Sequence, residues 1–199
     1  MIKTKHYILL LLGLGILISC GEEVVSELAP ASYVRWVKEE DHGLRVAKQI
    51  KELEFTAQYK PLDFIVAQEQ RSETLEKELL ETRKAELGTD YLYYNFRIKN
   101  IEGNLSPLGA GANSDQIYQQ RLGYFTFDAQ QDLYLLHGQD TLPCSLFQFV
   151  RNYDIAPYIE FALGFKKSGA ITEDITFVFE DKVLGLSLIH ISEPTRHTR

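Results

Sequence analysis

The chain has 199 residues, a formal net charge of −7 and a charged fraction of 25%. That length suits one core, and a domain of this size buries roughly 70% of the surface its unfolded chain exposes. The acidic balance argues against nucleic acid and anionic lipid surfaces as partners, because carboxylates repel phosphate.

The first segment, MIKTKHYILLLLGLGILISC, places Lys3 and Lys5 ahead of an apolar run from Tyr7 to Ile18. About a dozen apolar residues are too few to span a bilayer and suit the apolar region of a signal peptide over residues 1–19. The run ends in Leu17-Ile18-Ser19-Cys20, which resembles the lipobox of bacterial lipoproteins. The resemblance implies that the Cys20 thiol carries a diacylglycerol and that the partner is a membrane, reached through this N-terminal anchor. Burial contributes about 0.8 kcal/mol per methylene, so two or three acyl chains hold stably. Gly21 follows the cysteine, so the Asp-based inner-membrane retention signal is absent. Glu22 and Glu23 resemble the surface-export signal of Bacteroidetes lipoproteins. The implied location is the cell envelope, as an outer-membrane lipoprotein on either its periplasmic or its surface face.

Residues 20–32 read as the lipidated cysteine and a flexible tether, polar, alanine-rich and carrying Pro30. Residues 33–185 then read as one β-rich domain. YVRWVKEEDHGLRV, with a turn at Asp41-His42-Gly43, predicts a first hairpin. Between Glu52 and Lys60, Leu53, Phe55, Ala57 and Tyr59 alternate with Glu54, Thr56 and Gln58, the period of a half-buried strand. Pro61 interrupts that strand, and LDFIVAQE is expected to continue it as an edge or bent strand. One accessory helix is predicted over residues 72–87, with Leu75, Leu79, Leu80 and Leu87 near one face, Ser72 as N-cap and Gly88 at the stop.

Strand patterns resume in YNFRIKN, where Tyr94, Phe96 and Ile98 alternate with polar residues. The stretch EGNLSPLGAGANSD is a long loop of the kind that is often functional or mobile. LGYFTFD, DLYLL, SLFQFV, YIEFALGF and ITFVFED follow as short strands between turn-like segments. Ile159, Phe161, Leu163 and Phe165 share one face, as do Ile175, Phe177 and Phe179. This rhythm predicts an antiparallel sandwich or barrel. From Tyr91 to Gly185 it resembles the immunoglobulin-like domains of many bacterial lipoproteins, which implies an immunoglobulin-like β-sandwich that lacks its C-terminal strand or strands.

Residues 186–199 are a separate matter. Leu186 to Arg196, LSLIHISEPTR, resembles the translation of a transposase-type sequencing adapter. That resemblance implies an artefactual tail in which His190, Ser192, Glu193 and His197 never formed a catalytic set. The vacant edge of ITFVFED still accepts an extended apolar segment such as LSLIHI through backbone hydrogen bonds. Residues after about Ile191 are expected to lack a packed environment.

Chemistry-bearing residues are sparse in the remaining body. Outside both ends, only His42 and His137 are histidines, in separate turns, and neither HExxH nor CxxC occurs. No metal and no cofactor is therefore expected. Asp128, Asp132 and Asp140 flank the hairpin around DLYLL without EF-hand spacing, and read as solvated turn residues. Gly109, Gly111 and Gly123 lack the lysine and helix of a phosphate-binding loop. With Cys20 acylated, Cys144 has no disulfide partner, and it reads as a small buried hydrophobe.

Tyrosines 91, 93, 94, 118, 124, 134, 153 and 158 are numerous enough for a carbohydrate-stacking or peptide-binding surface. The leading functional expectation is a non-enzymatic envelope module with a binding or structural role and no catalytic residue. The residues name no particular protein or glycan partner. The alternatives are a carrier or assembly factor that shields a lipid or client in a dry cavity near Leu75 and Leu79, and a hydrolase using Cys144 or a Glu160 and Asp174 pair.

Overall fold

A computed structural model describes residues 29–70, 76–153, 155–186 and 188–193. The expected signal peptide, the lipobox residues Leu17, Ile18 and Ser19, the lipidated Cys20 and the helix residues Ser72 and Leu75 lie outside the described residues. Eight strands make one antiparallel sheet: β1 (Arg45–Ile50), β2 (Leu53–Lys60), β3 (Tyr91–Asn100), β4 (Leu133–His137), β5 (Asp140–Val150), β6 (Tyr158–Lys166), β7 (Ile175–Glu180) and β8 (Leu188–Glu193). Their order is β1-β2-β3-β6-β5-β4-β7-β8. The sheet curls until its two edge strands lie side by side. At that seam the Lys48 Nζ donates to the His190 carbonyl at 3.0 Å.

Strand β5 turns the corner of the barrel. Its first residues pair with β4, and from Cys144 onward it pairs with β6 across a register shift between Cys144 and Leu146. A bulge of this kind bends a strand and increases its twist, which lets one strand serve both halves of a curled sheet. Gly164 faces the bulge, and a Cβ there would stand 2.8 Å from the Leu146 Cδ1, so glycine is what the close approach permits.

The core is aromatic. Phe96 lies at its centre, with ring centroids 4.9 Å from Phe177, 5.5 Å from Phe179 and 5.9 Å from Phe161. The alternation read in β2, β3, β6 and β7 supplies this interior: Leu53, Phe55, Ala57, Tyr94, Ile98, Ile159, Leu163, Phe165 and Ile175 are all buried there. A π-helical turn at Tyr124–Asp128 and a 3-10 turn at Ala129–Asp132 add the buried Tyr124, Phe125 and Ala129. Tyr124 donates to the Asp132 Oδ2 at 2.8 Å and approaches the Glu180 carbonyl at 3.2 Å.

Several expectations are corrected. The antiparallel strands are present, but they form a single barrel-like sheet where an immunoglobulin-like sandwich was anticipated. The accessory helix is shorter than predicted, α3 at Lys77–Leu87, ended by Gly88 at φ +88. It has company in α1 (Pro30–Lys38), α2 (Leu62–Glu69) and α4 (Asp115–Gly123).

Helix α1 replaces the first half of the expected hairpin and the last residues of the expected tether. Pro30 stands at its first position, where a missing N–H costs nothing. Helix α2 replaces the edge strand. Pro61 caps it in extended geometry, and Phe64, Val66 and Ala67 are buried together, which a two-residue period does not allow. LGYFTFD is likewise helical, with the adjacent Tyr124 and Phe125 both buried.

The long loop is tied down. Arg121 on α4 donates through Nη1 to the carbonyls of Pro107 at 3.0 Å and Ala110 at 2.6 Å. Asn100 Nδ2 donates to the Leu105 carbonyl at 3.1 Å, and the Ser106 hydroxyl accepts from the Leu108 amide at 3.3 Å.

Strand β8 falls within the segment that resembles an adapter. It pairs with β7 and buries Ile189 and Ile191. Such pairing asks only for backbone groups and alternation, which LSLIHI supplies. His190 is exposed, and His197 lies outside the described residues.

Candidate functional site

A pocket of about 400 Å³ opens on the outer face of the sheet, beneath α1 and α2. Its floor comes from the polar half of the strand alternation. Successive side chains of a strand point to opposite faces, so the residues skipped by the core line this surface. Thr56, Gln58 and Lys60 come from β2, Asn95 and Arg97 from β3, Glu160 from β6 and Arg45 from β1. The register sets them in two rows. Thr56 is opposite Arg97 and Arg97 opposite Glu160, while Arg45 is opposite Gln58 and Gln58 opposite Asn95.

The helices make the roof. Lys38 ends α1, and Phe64 and Gln68 belong to α2. Gln58 fastens α1 over the floor, its Nε2 lying 3.2 Å from the Val37 carbonyl and 2.9 Å from that of Leu44. Helix α3 braces α2 from outside. Lys84 pairs with Asp63 at 2.7 Å, and Arg83 grips Glu69 with Nε at 3.0 Å and Nη2 at 2.9 Å.

The charge balance is positive among the described lining residues, where Lys38, Arg45, Lys60 and Arg97 stand with one carboxylate, Glu160. Glu160 is already engaged. Its Oε1 accepts from the Arg97 Nη2 at 3.0 Å and from the Asn95 Nδ2 at 3.4 Å. The Arg97 guanidinium stacks over the Tyr158 ring at 4.3 Å, and its Nε is buried without a hydrogen-bond partner. Lys60 stands 5.9 Å from the centroid of the Phe64 ring. Among the described residues no carboxylate forms an ion pair with it. Burial lowers its ammonium below the ordinary lysine range, Glu160 and Glu69 pull it back up, and Lys38 lowers it further.

The arrangement can hold an anion, and it can exchange hydrogen bonds with neutral polar groups through Thr56, Asn95 and Gln68. A reaction would need a nucleophile or a poised acid and base within reach of one another, and the sequence candidates for those roles are scattered. Cys144 is buried, with its thiol pushed up to about 12 by desolvation, against a weaker opposing hydrogen bond from Gly164. Its Sγ lies 3.2 Å from the Leu146 carbonyl. A thiol held neutral in this way is a packing group. Glu160 lies in the cationic pocket, while Asp174 belongs to a separate shallow cleft with Glu173, Thr172 and Gly138.

His137 is turned to that second cleft, where its Nε2 lies 3.2 Å from the amides of Thr172 and Glu173. Trp36 and His42 stack at 4.1 Å, and His42 approaches Glu39 at 3.0 Å. The tyrosines do not make one surface. Tyr94 and Tyr124 are buried, Tyr153 is exposed, and Tyr158 lies beneath Arg97.

Apart from Glu160, the floor residues stood out in no sequence pattern because each sits at an outward strand position, where a polar residue needs no explanation. The one available signal was the presence of Arg45, Lys60 and Arg97 on the same alternating phase in strands of an acidic chain. Leu79 is half-buried on α3, which buries none of its described residues, and the described pocket between sheet and helices is lined mainly by polar groups. Comparison of this chain with protein-family models, with curated proteins and with solved structures finds no match.

Proposed function

We propose that this chain is a non-enzymatic binding module of the bacterial cell envelope, anchored to the outer membrane by lipid on Cys20 and taking up a small polar ligand in the pocket beneath α1 and α2. The observation that carries the reading is the pocket itself, whose cations outnumber its one carboxylate, itself already paired. Cations crowded around one carboxylate repel one another, and Lys60 has no ion-pair partner among the described residues, an arrangement suited to an external anion. The volume falls within the range of small-molecule sites, roughly 300 to 1,000 Å³. The packed barrel presents this face as an immunoglobulin-like sandwich would present its own, from a rigid aromatic core.

Two measurements test the reading. Metabolic labelling with palmitate should mark the wild-type chain and fail to mark Cys20→Ser, which should also leave the membrane fraction. Retention of Cys20→Ser in membranes with unchanged labelling overturns the anchor. Thermal-shift titration of the body against small anions, neutral saccharides and amines should reveal a ligand that stabilises it in proportion to concentration. Failure of every class to move the melting temperature overturns the binding role.

A further inference from the structure

We infer that the ligand is a sugar acid of monosaccharide size, its carboxylate held by Lys60 and Lys38 and its hydroxyls by Asn95 and Thr56. This deepens the binding-module reading above and rests on it.

The argument starts from what the lining has left unsatisfied. Lys60 has an ammonium beside an apolar ring and no ion-pair partner among the described residues. Burial makes that charge costly, as the lowered titration of the amine records. A carboxylate arriving there replaces the missing counter-charge in a site partly shielded from water, where such hydrogen bonds are strong. The Arg97 Nε is buried away from solvent and is closed to a ligand. Because Glu160 already occupies Nη2, Arg97 cannot present the paired Nε and Nη2 edge that grips a carboxylate or phosphate with two bonds.

Neutral groups complete the selection. Thr56 stands directly opposite Arg97, and Asn95 is two residues before it on the same face. An inorganic anion offers few hydroxyls to side chains that both donate and accept, and a neutral sugar leaves Lys60 without a counter-charge. A polyhydroxy carboxylate answers to both. The pocket's roughly 400 Å³ accommodates one such ring.

The test is calorimetric titration of the intact chain with glucuronate, with glucose as the neutral isostere and with inorganic phosphate. Glucuronate should bind, glucose at least tenfold more weakly, and phosphate more weakly than glucuronate. Lys60→Met keeps the apolar stem, and Lys38→Gln removes the charge on α1. Each should weaken glucuronate roughly tenfold or more, the worth of one charge-assisted hydrogen bond. Lys166→Gln, an exposed lysine away from the pocket, should leave binding unchanged.

Equal binding of glucose and glucuronate, lost in Asn95→Leu, overturns the inference and leaves the binding module standing. Phosphate binding as tight as glucuronate also overturns it, by reducing the site to a charge. Glucuronate affinity that neither Lys60→Met nor Lys38→Gln alters places the ligand elsewhere and overturns it too. Binding of none of the three probes overturns the inference, and the wider ligand panel described above then decides the module reading by itself.

Discussion

Arg97 and Glu160 are register partners on adjacent strands, joined by a 3.0 Å hydrogen bond from Nη2 to Oε1, with the guanidinium stacked over Tyr158. The pair is partly open to solvent, 41% for the Arg97 side chain and 18% for Glu160, so its worth to folding is modest, about 1 kcal/mol or less. Glu160→Gln should leave the denaturation midpoint nearly unchanged, since the amide oxygen still accepts from Arg97. The same substitution removes the pocket's one negative charge and should raise affinity for an anionic ligand severalfold. A stability loss above about 3 kcal/mol would instead mark the pair as a buried structural ion pair.

Phe96 makes ring contacts with Phe55, Phe161, Phe177 and Phe179, which belong to three other strands. Phe96→Ala should cost about 3–5 kcal/mol through the cavity it leaves, a large share of the roughly 5–15 kcal/mol that holds a domain of this kind. Phe127, 77% exposed, is the control. Its replacement by serine should change stability by about 0.5 kcal/mol at most in urea titration.

Alkaline pH should unfold the body over a definable window. The Cys144 thiol is raised by burial from 9.0 to about 12, and burial with Asp63 and Tyr59 nearby raises Tyr33 from 10.0 to about 12. In the unfolded chain both groups lose their protons first. The stability they contribute is therefore complete below about pH 9 and is lost as pH rises toward 12. Circular dichroism against pH should show the loss between those limits, and Cys144→Ala should diminish its early part. Ellman's reagent at pH 8 should label Cys144 slowly in the native chain and quickly in urea. Fast native labelling would show the thiol to be accessible after all.

Arg121 is the clamp on the long loop, with its Nη1 among the carbonyls of Pro107, Leu108 and Ala110. Arg121→Ala should release the segment between β3 and α4. About 1–3 kcal/mol is the expected cost of leaving such acceptors unpaired. Limited proteolysis should then cut between residues 101 and 114 well before the wild type is cut. Equal cleavage in the two chains would show that Asn100 and Ser106 hold the loop without the arginine.

At the barrel seam, Ile189 and Ile191 are buried on β8. Ile191→Ser should destabilise the chain as written by about 2–4 kcal/mol if β8 closes the core in solution. A change below about 0.5 kcal/mol would show that β7 carries a free edge and that β8 adds nothing.

Local sequence was sufficient for the strands whose two faces differ. In β2, β3, β6 and β7 a period of two separates Phe55, Phe96, Phe161 and Phe177 from polar neighbours, and pleat geometry alone sends them inward. It was insufficient for LDFIVAQE, whose near-continuous apolar run satisfies a buried strand as well as a short helix. Docking against α1 and α3 settles it as α2. The same applies to α1, where Tyr33, Trp36 and Val37 imitate a strand patch until Gln58 and the Trp36 to His42 stack hold the turn in place.

The candidate site was beyond the reach of sequence for a different reason. Arg97 and Glu160 are 63 residues apart, and only the antiparallel register of β3 with β6 makes them neighbours. The sequence determined that these residues face away from the core, because alternation is a property of each strand taken alone. The tertiary structure decided that four cations share one roofed pocket, because register and helix docking are long-range choices made by the whole core.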